Sequence, residues 1–264
     1  MDFKGISHII RIVSAIALLL FQILAATPAL AAEPLRLSVS MSPLSLPIFV
    51  AQEQGYFAAE GLTLNVKEVL GGHRAMQQVQ DGSADLGTCS EAVIMFRSFE
   101  TKDFLILATF VTSDDDVKLI TTSGTGITTP EQLKGKRIGT VIGAASDYYL
   151  HTLLVLNGID PKLVHVTHLQ PEDMAEALAN AQVDAIAIWE PNAFQVLKSV
   201  PGATLLTKSG FYIETFNLVA RSELKGVRDD DLLKLLRALE RAERFIQNEP
   251  AKALAILRTR LQTN

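Results

Sequence analysis

One pattern is written twice along this chain. MQQVQDGSADLGTCSEA at 76–92 and MAEALANAQVDAIAIWEP at 174–191 both read as a helix, a turn, an aspartate and a short apolar strand. Their surroundings repeat too. In the first copy Leu35–Ser40 alternates as a strand, a helix opens at Pro47 and stops near Gly55, and Leu62, Leu64 and Val66 alternate as a second strand. Gly71-Gly72 then turn the chain, His73–Gln80 is helical, and Leu86–Thr88 is a third strand. In the second copy Arg137–Val141 is a strand and Gly143-Ala144-Ala145-Ser146 opens a helix running to about Asn157. Val164–Leu169 is a strand, Pro171–Asn180 a helix and Ala185–Trp189 an apolar strand. Two βαβαβ units imply an α/β protein with parallel sheets and right-handed crossovers, in which ligands bind beyond the carboxyl ends of the strands. Two such units facing each other share one cleft.

The remaining segments set the connections. Phe104–Val111 and Val117–Thr122 read as strands between the copies, and Phe211–Ala220 as a strand after them. A helical tract from about Asp229 to Arg260 carries Leu232, Leu235, Leu236, Leu239, Ala242 and Ile246 at helical spacing, and Pro250 restarts it. The chain is therefore expected to cross between lobes near 112–118 and 210–216. Residues 35–114 plus 215–264 fall to one lobe and 115–214 to the other, with a hinge of two crossings between them.

The first residues stand apart. Lys4 and Arg11 precede an apolar run from Ile12 to Ala26, and the segment closes in Ala29-Leu30-Ala31-Ala32. That order predicts a signal peptide over 1–31, cleaved near Ala31, and a periplasmic address. The whole chain, 48% hydrophobic and 20% charged, has the composition of an ordinary globular protein. Its net charge of −5 gives nucleic acid or an anionic membrane nothing to gain, and neither is expected as a partner. Cys89 is the only cysteine, which excludes an intrachain disulfide and leaves no lipid-attachment cysteine at the cleavage site.

AQEQGYFAAEGL at 51–62, DGSADLGT at 81–88, LKGKRIGT at 133–140 and AIAIWEP at 185–191 resemble the substrate-binding proteins of nitrate/sulfonate/taurine-type ABC importers. The same broad family includes binders and makers of the thiamine pyrimidine precursor. The resemblance implies a type II periplasmic-binding-protein fold whose lobes close on a small molecule, and it implies no catalysis and no cofactor. The partners it implies are an ABC permease and its ATPase in the membrane, and a monomer is expected. Proteins that look like this usually continue for several tens of residues past the position of Asn264, so a natural short form and a cut from a longer gene both stay open.

The loops after the strands hold the candidate ligand-binding residues. Gly143, Ala144, Ala145 and Ser146 open a helix, where free N–H groups and small side chains suit an anionic or polar group; the alternative is a plain cap. Trp189 could cover a ligand and Glu190 accept hydrogen bonds beside it, unless the ring packs in the core and Glu190 caps the next helix. Cys89, Ser90 and Glu91 form the equivalent loop of the first copy, with helix capping again the alternative. Ser42 and Pro43 follow the first strand. Arg74 would give a forked cation for sulfonate, phosphate or carboxylate, or else face solvent.

Asp114, in the run Asp114-Asp115-Asp116, reads as a hinge loop from which an acid could reach a cationic group. It lacks the spacing of a calcium loop. His165 and His168 point to opposite faces of a strand and cannot chelate together, and no local signature supports a Ser or Cys nucleophile. No metal is expected. Acids at Glu91, Glu190 and Asp114 would repel a bare oxyanion and suit an amine or ring N–H beside an acidic end. The rival readings are an enzyme of the same fold, such as a pyrimidine-precursor synthase or a lyase, and a ligand-sensing module of a signalling protein.

Overall fold

The computed structural model describes residues 33–206 and 210–262; the expected signal peptide over 1–31 lies outside the described residues. The alternating segments form the elements their patterns demand. In chain order these are β1 (Leu35–Ser40), α1 (Leu46–Glu53), α2 (Tyr56–Ala59), β2 (Leu64–Val69), α3 (Gly72–Gln80), β3 (Leu86–Ser90), α4 (Glu91–Ser98) and β4 (Phe104–Ser113). They continue with β5 (Val117–Thr122), β6 (Arg137–Thr140), α5 (Ala145–Leu156), β7 (His165–His168), α6 (Met174–Ala179), β8 (Ala185–Trp189) and α7 (Asn192–Ser199). Last come β9 (Ala203–Leu205), β10 (Glu214–Arg221), α8 (Asp229–Asn248) and α9 (Pro250–Leu261).

The two copies build two five-stranded sheets with matching order, β2-β1-β3-β10-β4 and β7-β6-β8-β5-β9. In each, the first three strands are parallel and the last two pairings antiparallel. The chain passes from the first sheet to the second between β4 and β5, and back between β9 and β10. The result is an α/β molecule of two lobes.

The repeat extends to single hydrogen bonds at the amino ends of the strands. Asp85 accepts from the Arg36 backbone N–H at 2.8 Å and takes the Arg36 guanidinium at 2.6 Å, while its own N–H donates to the Arg36 carbonyl. Asp184 makes the same clamp with Arg137, with the backbone and guanidinium bonds both at 2.8 Å. The arginines hold both carboxyls below the usual carboxylate range. Each clamp sits where the helix–turn–Asp–strand motif enters its third parallel strand.

Packing follows the apolar stripes. Leu232, Leu235, Ala238, Leu239 and Ala242 of α8 are buried with Ile48, Phe49 and Ala51 of α1 and Leu35 and Leu37 of β1. Asp229, Asp230 and Asp231 in the first turn of α8 complement the helix dipole. A second core runs from Met76 and Val79 of α3 into Leu119, Ile138, Ile186 and Ile188 of the second sheet. Several expected boundaries shift. Pro171–Asp173 is a 3-10 turn ahead of α6, and β10 starts at Glu214 because Phe211 and Tyr212 instead pack their rings against Tyr149, at 4.8 and 6.0 Å.

Candidate functional site

The carboxyl ends of β1, β3 and β8 and the starts of α3 and α5 converge on one cavity. Its volume is about 20 Å³, room for roughly one water, so the cleft is shut. The first sheet and its helices supply Ser40, Ser42, His73, Ser90, Glu214 and Phe216. The second supplies Asp116, Ala144, Ala145 and Trp189.

Two glycines make this convergence possible. A Cβ on Gly71 would come within 2.8 Å of the Trp189 ring and 2.7 Å of His73 Nδ1, and one on Gly72 would come within 2.7 Å of the Cys89 Cα. Gly71 also holds φ at +95°, which a side chain disfavours. The start of α3 therefore seats against β3, and the His73 ring meets the Trp189 ring edge-on at 5.9 Å.

Polar groups in the wall fall into two kinds. Ser42 Oγ accepts from the Leu44 N–H at 3.2 Å and Ser90 Oγ from the Val93 N–H at 3.5 Å, so each caps a helical turn and keeps its own proton to donate. Other groups lack partners. Neither ring nitrogen of His73 has one, and no donor reaches Oε2 of Glu214. Burial lowers the His73 pKa to about 4, with the Arg74 charge adding, so the ring is neutral near pH 7. Asp116 and Glu214 hydrogen-bond to each other, and burial is the first cause of the rise in both; Asp116 is pushed up to about 7.

The expected residues divide accordingly. Ser42, Ser90, Ala144, Ala145 and Trp189 come together in the cavity wall. Trp189 is only 6% exposed, so it forms buried wall rather than standing at the mouth. Gly143 and Ser146 are occupied locally. The Gly143 N–H donates to Asp147 Oδ2 at 2.9 Å, and Ser146 Oγ accepts from the Thr140 hydroxyl and the Val141 N–H. Ala144, not Ser146, is the N-cap of α5. Glu190 caps α7, accepting from the Phe194 N–H at 2.9 Å, and with Pro43 it lines a hollow on the outer surface. Glu91 is taken by the second crossing, accepting from the Tyr212 hydroxyl at 2.5 Å and the Thr215 N–H at 2.7 Å.

Arg74 reaches the other half of the molecule, donating to Gln170 at 2.8 Å and pairing with Glu172 at 2.7 Å. Cys89 is buried outside the wall, its thiol pKa raised by burial, and Asp114 is exposed on the crossing. The acids in the wall are Asp116 and Glu214. Glu214 had a signal in the sequence, being a carboxylate inside an apolar strand, where it needs a partner or a purpose. Asp116 had none, because only the fold separates it from Asp114 and Asp115. Among the described residues no group of three or more His, Cys, Asp or Glu is placed to hold a metal ion, and no helix is long and apolar enough to cross a membrane.

Two mixed five-stranded sheets around a shut cleft make the periplasmic-binding-protein fold. The alkanesulfonate-binding protein SsuA of Xanthomonas axonopodis pv. citri superposes with a TM-score of 0.74 at 23% identity, over 87% of this chain and 80% of that one. The chain belongs to the NMT1/THI5-like family, whose model matches residues 42–253. A Brucella abortus protein, named only provisionally as a binding protein, is 25% identical over 211 residues, 78% of this chain and 65% of its own length. This chain thus spans just under two thirds of that relative. The taurine-binding periplasmic protein of Escherichia coli K12 is 26% identical over 164 residues, 61% of this chain and 50% of that protein. The 4-amino-5-hydroxymethyl-2-methylpyrimidine phosphate synthase of Uromyces fabae is 36% identical over 102 residues, 38% of this chain and 29% of the synthase.

Proposed function

We propose that this chain is the extracytoplasmic solute-binding protein of an ABC importer. It captures a small polar organic molecule, sulfonate- or taurine-like or a related nitrogen or sulfur source, as lobe 115–214 closes on lobe 35–114 plus 215–264. One observation carries the reading: a buried cavity lined from both halves holds polar atoms without partners, as a cleft built for hydrogen-bonding a guest requires. A cavity of about 20 Å³ admits no such guest until the lobes part, so binding is coupled to opening and closure. The taurine-binding and other binding-protein relatives support a receptor over an enzyme. The leader at 1–31 would deliver it to the periplasm as a monomer, where a membrane permease and its ATPase read the closed shape.

Thermal unfolding against taurine, alkanesulfonates, nitrate, bicarbonate, aminopyrimidines and amino acids tests this. A specific ligand at 100 times its Kd adds about 2.7 kcal/mol to stability. No shift from any compound class counts against the receptor reading. The partial match to the pyrimidine phosphate synthase favours a second reading, an enzyme of pyrimidine assembly, and consumption of a shifting compound would select it.

A further inference from the structure

Asp116 stands at the end of the first crossing and Glu214 at the end of the second, so two carboxyls meet where the connections between lobes run side by side. They are 6% and 3% exposed, and both line the shut cavity. Among the described residues neither forms an ion pair with a lysine or arginine. Lys118, whose charge favours the ionised form of Asp116, is committed to the side chain and carbonyl of Asp115. The other groups facing the pair bring no positive charge. Glu190 and Asp115 are acids, Glu91 is satisfied by Tyr212 and Thr215, and His73 is neutral near pH 7. Buried acids without a cation are unfavourable, and a pair aimed into a ligand cleft is relieved by a cation arriving from outside.

We propose, resting on the receptor reading, that Asp116 and Glu214 form the seat for a cationic N–H head of the ligand, a primary ammonium or an amidinium. Glu214 holds the proton and donates it to Asp116, and Asp116 carries the charge that meets the ligand. As pH falls through about 7, Asp116 takes up a proton of its own, and the ligand cation must then displace it. Binding therefore weakens in acid and releases up to one proton there.

Calorimetric titration of the full chain with matched probes tests the seat. The pairs are 2-aminoethanesulfonate against 2-hydroxyethanesulfonate, 3-aminopropanoate against 3-hydroxypropanoate, and benzamidine against benzamide. At least one cationic member is expected to bind about tenfold or more tightly than its partner, with affinity falling up to about tenfold per pH unit below pH 7. The double variant D116N/E214Q, matched in volume, loses that preference. E214Q alone keeps it, because the amide still donates to Asp116. Should the double variant fail to fold, the pH profile of the parent decides.

Equal binding of the uncharged partner, or a preference that survives in the folded double variant, overturns the seat and leaves the receptor reading standing. Failure of all six probes also overturns it; the receptor reading falls only if the wider thermal panel is silent too.

Discussion

The two sheets are alike at the amino ends of their strands and unlike at the carboxyl ends. Arg36–Asp85 and Arg137–Asp184 tie the first and third parallel strands of each sheet with the same backbone and guanidinium bonds. At the opposite end, β3 leads into Ser90-Glu91, which cap a helix and hold the second crossing, whereas β8 ends in a buried tryptophan and an acid that caps α7. The repeat holds where it closes the scaffold and breaks where it faces the cleft. A strand can change its carboxyl-end residues without disturbing the parallel pairing beneath them, and that separates recognition from stability.

The largest test of the likeness lies in the cores. Leu37 and Ile138 hold equivalent positions, one residue after each clamp arginine, and both are fully buried. Leu37→Ala and Ile138→Ala should each lower stability by about 3–4 kcal/mol in denaturant unfolding. If the halves fold as one unit, both variants shift a single transition; two separable transitions would show two independently folding lobes.

The clamps come next. Asp85→Ala removes the carboxylate partner of a backbone N–H and a guanidinium in a less exposed setting than Asp184→Ala does, the aspartate side chains being 14% and 22% exposed. Losses of about 2 and about 1 kcal/mol are expected in that order, the second discounted for solvent screening. Because arginine holds both carboxyls below their unfolded values, this stabilisation is present above the unfolded value near 3.8 and is lost as pH falls through the folded ones. The reverse order of the two variants would refute the burial argument.

The smallest effect belongs to the cleft. His73 has a folded pKa of about 4 against 6.5 unfolded, so between those values the unfolded chain binds more protons at this ring and the ring's contribution to stability falls as pH falls. His73's share of the slope, about 1 kcal/mol per pH unit, is read as the parent's slope minus that of His73→Gln, because the raised Asp116 and Glu214 carboxyls slope the opposite way over the same range. Unfolding midpoints at pH 7, 6 and 5 check it, and an unchanged slope in the variant would contradict the burial of a neutral ring.

Much of the scaffold was legible because hydrophobic period and turn chemistry are local. The strands at Leu35, Leu86, Arg137 and Ala185, the glycine turn at Gly71-Gly72 and the restart at Pro250 all follow from neighbours in sequence. The short β9 was not legible, since three residues carry no period, and neither was the change at Phe211, whose ring answers to Tyr149 across the fold. In the candidate site the right loops could be read but not which side chains turn inward. Ser42, Ser90 and Trp189 face the cavity, while Glu91, Glu190 and Ser146 are drawn off by hydrogen bonds that only the folded backbone creates. The Asp116–Glu214 pair joins residues 98 positions apart in number, a contact no local pattern encodes.

Hydrogen exchange of the full chain with and without a stabilising compound separates the recognition loops from the scaffold beneath them. Recognition at the carboxyl ends of both sheets predicts slowed exchange at 71–74, 88–91, 144–146 and 189–190 together, with the clamp amides of Arg36, Asp85, Arg137 and Asp184 unchanged. Protection confined to one half, or spread over the clamps and absent from these loops, would contradict it.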